Sequence, residues 1–194
     1  MITSRLQECL KEEYGISDAG ITRFLNSADQ KIFSKGDIIH SEGGIARSLY
    51  FVEEGWIRTF LKRDGNEINV NFNFEGTFAG DIKSLKTGCA SGLNISAGET
   101  CTLTFFKRDD LLQLPSESDE FERFSRQILA QIYLENQDQL EFNKIPSPLA
   151  RYDYLMQNKP YMIRRLPVTH LSSYIGVARE TLSRIRNNYR RGIL

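Results

Sequence analysis

Residues 117 to 145 contain neither glycine nor proline, whereas the stretch from 32 to 107 carries glycine at 36, 43, 44, 55, 65, 76, 80, 88, 92 and 98. That change in backbone freedom divides the chain into a turn-rich region and a long uninterrupted helix. Glycines at strand-length intervals are what a β-barrel or sandwich needs at its corners. Within this region, two runs of β-branched and aromatic residues, 56 to 62 and 67 to 74, flank Asp64-Gly65, a strong hairpin signal. "NISA" and "CTLTFFK" add two further strands, and residues 5 to 27 read as short helices ahead of the barrel.

The long helix is amphipathic. Phe121, Phe124, Ile128 and Ile132 fall at i, i+3, i+7 and i+11, and Leu129, Tyr133 and Leu140 widen the stripe. A broad apolar face on a helix of this length is expected to serve two neighbours, its own barrel and the same helix of a second copy. This makes Phe121, Phe124, Ile128 and Ile132 the expected dimer residues. The segment "IPSP", 145 to 148, ends the helix, because prolines cannot continue it, and marks a hinge.

Beyond the hinge, "SPLARYDYLMQN" reads as a helix, "KPYMIRRLP" as a connector, and "VTHLSSYIGVARETLSRIRNNYRR" as two helices about Gly176. Apolar residues stand at −5, −1, +1, +6 and +9 from that glycine: Leu171, Ile175, Val177, Leu182 and Ile185. This is the spacing of a helix-turn-helix, in which glycine permits the sharp turn and the apolar residues pack the pair together. At about 100° per residue, Ala178, Leu182, Ile185 and Tyr189 share one arc of the second helix. The opposite arc carries Arg179, Glu180, Ser183, Arg184, Arg186, Asn187, Arg190 and Arg191. Arg179, Glu180 and Arg184 lie in the first two turns, where a recognition helix meets base edges. Arginine can donate twice to guanine and glutamate can accept from cytosine. Glu180 and Arg184, at i and i+4, are also placed to pair with each other. Thr169, Thr181, Arg186, Asn187 and Arg190 are the expected phosphate contacts.

Charge supports this division of labour. The formal net charge is zero, but residues 1 to 150 hold 16 basic and 23 acidic side chains, against nine and two in residues 151 to 194. A basic module joined to an acidic one is suited to a polyanion. The three cysteines, Cys9, Cys89 and Cys101, form no CxxC and no thiolate set, as expected of free thiols in a reducing cytoplasm. No metal site is expected with only His40 and His170 besides. No apolar run is long enough for a membrane span. No nucleophile–base pair, metal set or phosphate-cradling loop is visible, so an enzyme is not expected.

These residues resemble the Crp/Fnr family of bacterial transcription regulators over nearly the whole chain. "RETLSRI" is similar to that family's "RETVGRI", whose two arginines and glutamate read a TGTGA-like half-site; here these are Arg179, Glu180 and Arg184. "FSKGDIIHSEGG", "LYFVEEGWIRTF" and "GTFAGDIKSL" resemble the family's cyclic-nucleotide-binding-type barrel, with its "KGxxIxxEG" and "GxxxGE" turns. The segment from Ala150 to Arg186 also looks like members from Bacteroidetes-type bacteria.

The resemblance implies an α+β chain in three parts. A cyclic-nucleotide-binding-like β-barrel or jelly roll takes residues 1–116, a dimerisation helix 117–145 and a helix-turn-helix domain 146–194. It implies a homodimeric regulator on a palindromic operator, with double-stranded DNA, a second copy and RNA polymerase as partners. The effector pocket would comprise Gly80, Asp81, Ile82, Ala90 and Ser91. Two departures weigh against cyclic AMP. Asp81 replaces the glutamate that takes the ribose hydroxyl, and Ala90 stands where an arginine holds the cyclic phosphate. Such a charge-assisted partner is worth about 1.5–3 kcal/mol. Cys9 alone cannot supply an iron–sulfur cluster, and no axial haem ligand can be placed. Phe74 and Phe78, near the expected pocket mouth, are candidates to plug it. The competing reading is a small-molecule-binding barrel without DNA-binding activity.

Overall fold

The computed structural model describes residues 4–191. Two short helices, α1 (Ser4–Glu12) and α2 (Asp18–Leu25), lead into β1 (Ala28–Phe33), β2 (Ile38–His40), β3 (Ser48–Glu54), β4 (Trp56–Arg63), β5 (Asn66–Phe74) and β6 (Phe78–Ala79). Helix α3 (Ile82–Thr87) separates these from β7 (Asn94–Ala97) and β8 (Cys101–Lys107). After α4 (Arg108–Gln113) and a 3₁₀ turn (Leu114–Ser116) comes the 26-residue α5 (Asp119–Lys144). The chain closes with α6 (Pro148–Asn158), α7 (Pro160–Arg165), α8 (Val168–Ile175) and α9 (Arg179–Arg190).

The eight strands form two four-stranded sheets, ordered β1-β8-β3-β6 and β2-β7-β4-β5. Asp64 and Gly65 join β4 to β5 with φ of 51° and 76°. Two successive left-handed residues make the type I′ turn that suits the twist of a hairpin. Val52, Ala79, Cys101 and Leu103 of one sheet meet Ile57, Ile95 and Ala97 of the other in an apolar cluster. The second core lies on the other side of the first sheet, where Leu49, Phe51, Phe78 and Phe106 pack with Leu6, Leu10 and Phe24 of the leading helices. Phe78 thus belongs to this outer core, while Phe74 is buried beside Trp56 with ring centroids 6.3 Å apart. Gly98 runs so close to Trp56 that an added Cβ would sit 2.1 Å from the indole, so no larger residue fits.

Helix α5 spends its aromatic stripe on its own chain. Phe121, Phe124 and Ile128 are 4%, 2% and 6% exposed within the outer core, and Ile132 packs partly buried against it. The expectation that these four form a surface for a second copy is therefore corrected. Periodicity identifies an apolar face but not the surface that covers it. The exposed residues lie at the stripe's margin: Leu129, Tyr133, Leu134 and Leu140. Positions 129, 133, 136 and 140 repeat at four, three and four residues, the spacing of a coiled-coil seam, with Asn136 as its polar member.

By internal contacts the chain forms two compact units. One takes the chain through Leu61 together with Phe72–Tyr133, and the other takes Lys62–Asn71 together with the chain from Leu134. Boundaries at 116 and 145 would cut the sequence linearly, whereas the second unit also contains the tip of the β4–β5 hairpin. The stretch read as a connector is helix α7. Pro160 stands in its first turn, where a missing N–H costs nothing.

Candidate nucleic-acid interface and effector region

Helices α8 and α9 flank Gly176, which has φ 82° and caps α8 by donating its N–H to the Ser172 carbonyl at 2.9 Å. Leu171, Ile175 and Leu182 are fully buried, and Val177 and Ile185 are half-buried, so the spacing about the glycine packs one helix on the other. Ala178 departs from the expected packing arc: it is the exposed N-cap residue of α9. Tyr189 meets Tyr152 of α6, with centroids 5.1 Å apart.

On the outer face of α9, Arg179, Glu180, Thr181, Ser183, Arg184 and Asn187 are all exposed, as is Thr169 on α8. The pair expected between Glu180 and Arg184 is not formed; among the described residues neither has an ion-pair partner. Their head groups, with that of Arg179, remain available to an external acceptor or donor. Arg186 is placed differently. Its side chain is partly buried and Nη2 donates to the Ile163 carbonyl of α7 at 2.9 Å, so it braces the domain from within. The side chain of Arg190 lies outside the described residues.

The sequence reading missed two supports. Arg151, on α6, donates from Nε to the Ile145 carbonyl (2.9 Å), from Nη1 to that of Ile175 (2.8 Å) and from Nη2 to that of Asn143 (3.2 Å). One guanidinium thus ties the end of α5 and the 145–148 break to the end of α8. The β4–β5 tip supplies the second support. The Asn69 amide donates to Ser173 Oγ (3.1 Å), Ser173 Oγ donates to the Glu67 carbonyl (2.8 Å), and Asn69 Nδ2 donates to the His170 carbonyl (3.2 Å). A serine on the amphipathic face of α8 carries no sequence signal for such a role.

In the barrel, two of the expected pocket residues, Asp81 and Ser91, meet, while Ile82 packs against the outer core. Gly80 and Asp81 precede α3, Ile82 opens it, and Ala90 and Ser91 follow it. Asp81 is the N-cap: Oδ1 accepts from the Ser84 amide at 3.0 Å and Oδ2 accepts from Ser91 Oγ at 2.7 Å. Ser91 is further held by its backbone, which exchanges hydrogen bonds of 2.8 Å with Gly43 and Gly44. Ala90 is exposed and bridges to Ile45. Nearby, burial pushes the His40 imidazole below its usual pKa, opposed by the charge of Asp81. Its Nε2 is buried without a hydrogen-bond partner. Among the described residues no cluster of histidine, cysteine and carboxylates could hold a metal ion, and no helix is long and apolar enough to cross a membrane.

Residues 30–118 match the family described as the cyclic nucleotide-binding domain. A comparison with curated protein sequences gives no match. Among solved structures, the chain is similar to the c-di-GMP-responsive global regulator CLP of Xanthomonas campestris. The TM-score is 0.72 and the identity 20%, covering 91% of this chain and 94% of that one. It is also similar to FixK2 from Bradyrhizobium japonicum, with TM-score 0.70, 21% identity and coverage of 86% and 87%. For the catabolite activator protein of Thermus thermophilus the TM-score is 0.58 and the identity 21%, over 95% and 88% of the two chains. The chain therefore shares the α+β fold of these proteins, an N-terminal cyclic-nucleotide-binding-type β-sandwich followed by C-terminal helices.

Proposed function

We propose that the chain is a homodimeric, sequence-specific DNA-binding transcription regulator of the Crp/Fnr type, acting in the cytoplasm and, on promoter DNA, alongside RNA polymerase. The observation that carries this reading is the outer face of α9. Arg179, Glu180 and Arg184 are all exposed and, among the described residues, without ion-pair partners there, while Leu182 anchors the helix from behind. In this reading the three side chains read base edges in the major groove. Thr169, Thr181, Asn187 and Arg190 hold phosphates, and Arg186 positions the helix through α7. Two copies pair along the Leu129, Tyr133 and Leu140 seam, so the operator is a palindrome with half-sites about one helical turn apart. Residues 1–116 form the effector domain, 117–145 the pairing helix and 146–194 the DNA-binding domain. Cyclic-nucleotide binding in the barrel is disfavoured at Asp81 and position 90, since the first already accepts two internal hydrogen bonds and the second is alanine.

The test is a fluorescence-anisotropy titration against a TGTGA-type palindrome and a scrambled duplex at two salt concentrations. Preference for the palindrome is expected, with Arg184→Ala costing about 1–3 kcal/mol on it and relaxing one base position. Arg190→Ala should weaken both duplexes alike and lower the salt slope. Indifference to sequence at both salts would overturn the base-reading assignment.

A further inference from the structure

A cleft of about 540 Å³ opens behind the exposed face of α9, among α6, α7 and α9 within the helical unit. Tyr152 and Tyr189 form one wall, inclined at 59° to each other, and Met156 and Ile163 add apolar surface. Two guanidinium groups, Arg164 and Arg186, also line it. Its volume falls within the range of about 300–1,000 Å³ usual for small-molecule sites. It is lined by residues of the second unit only, and nothing in the proposed DNA-reading face uses it.

The two arginines make the cleft chemically specific. Arg186 is already oriented by the bond from Nη2 to the Ile163 carbonyl, yet its Nε is buried without an acceptor. Arg164 is exposed and, among the described residues, has no ion-pair partner. No carboxylate stands among the lining residues; the adjacent Asp153 is not one of them. Two cations beside aromatic walls, with unmet donors and, among the described residues, no ion-pair partner, are complementary to a planar anion. Arginine binds carboxylates bidentately, and the tyrosine and methionine surfaces suit a ring.

We propose that this cleft binds a small aromatic carboxylate, its ring against Tyr189 and Met156 and its carboxylate between Arg164 and Arg186. Such a ligand links α7 to the recognition helix, giving the DNA-binding domain an effector site of its own. The binding claim stands independently of DNA recognition, because it is read without DNA.

The experiment is calorimetric titration of the full chain with 2-naphthoate and with its neutral counterpart 2-naphthamide. Binding of the acid is expected, weakened about ten-fold or more in the amide, in Arg164→Gln and in Tyr189→Leu, since each removes a recognised group. Arg63→Gln, an equal loss of charge on the exposed hairpin tip, should leave the affinity unchanged. Absence of binding, equal binding of acid and amide, or equal losses in Arg164→Gln and Arg63→Gln would overturn the proposal.

Discussion

Ser91 donates its hydroxyl to Asp81 at 2.7 Å, and in doing so occupies the carboxylate oxygen that the α3 cap leaves over. A ribose hydroxyl at this carboxylate would have to share it with two internal partners, and Ala90 offers no cation in return. Millimolar cyclic AMP is therefore expected to leave the thermal midpoint unchanged, since only a ligand that binds the folded state raises it. A rise of several degrees would show that the nucleotide binds the folded chain despite both departures. Ser91→Ala should lower stability by about 1 kcal/mol in urea denaturation.

Two adjacent residues of α5 allow the proposed pairing to be tested apart from folding. Leu129 is 47% exposed, while Ile128 is 6% exposed in the outer core. Leu129→Asp should yield folded monomers in sedimentation with little change in thermal midpoint. Ile128→Asp should cost about 3 kcal/mol or more, because it buries an unpaired charge. A Leu129→Asp protein that sediments as a dimer would place the pairing surface elsewhere.

Arg151 is expected to matter more than its charge suggests. Replacing it with methionine keeps much of the stem but leaves the carbonyls of Asn143, Ile145 and Ile175 without this donor. The loss should be about 2 kcal/mol or more in urea denaturation followed by circular dichroism. Arg151→Lys should recover only part of it, since an ammonium lacks the planar fork. Wild-type stability in both variants would make the three bonds incidental.

The cysteines should divide by burial. Burial, then Glu13, pushes the Cys9 thiol up to about 12, and burial, then Glu99, pushes Cys101 up to about 11. Cys89 is exposed. One thiol per chain should react promptly with an aromatic disulfide reagent at mildly alkaline pH, the others only after denaturation. Because both folded values are raised, their contribution to stability is complete below the ordinary thiol value of 9.0 and is lost as pH rises through about 11 and 12. A urea midpoint that is flat across this alkaline range, or a slope unchanged in the Cys9→Ala, Cys101→Ala double variant, would contradict the burial argument.

What could be read from the sequence was local. Asp64-Gly65 and Gly176 demand left-handed backbone, so their turns follow from residue type alone, and 117 to 145 shows its helix by what it lacks. Other features depended on distant partners. The Phe121, Phe124 and Ile128 stripe was visible, but the leading helices and first sheet that cover it come from elsewhere in the chain. The connector reading of 159 to 167 overlooked that Pro160 can start a helix as α7 does. Arg151 counted only as positive charge, and Arg186 as a phosphate contact. Their hydrogen bonds run to carbonyls at least six residues away, which spacing along one helix cannot disclose.

The hairpin tip has a consequence for dissection of the protein. Because Lys62–Asn71 groups with the helices that follow Leu134, the compact unit that carries the proposed DNA-reading helix is not encoded by one continuous stretch. A fragment begun at the 145–148 break leaves behind the strand that meets Ser173 and His170. A fragment ended before that break retains a hairpin whose Asn69 amide has lost its acceptor. A single junction therefore cannot yield two whole modules, and a working chimera has to exchange the tip of the hairpin together with the helices.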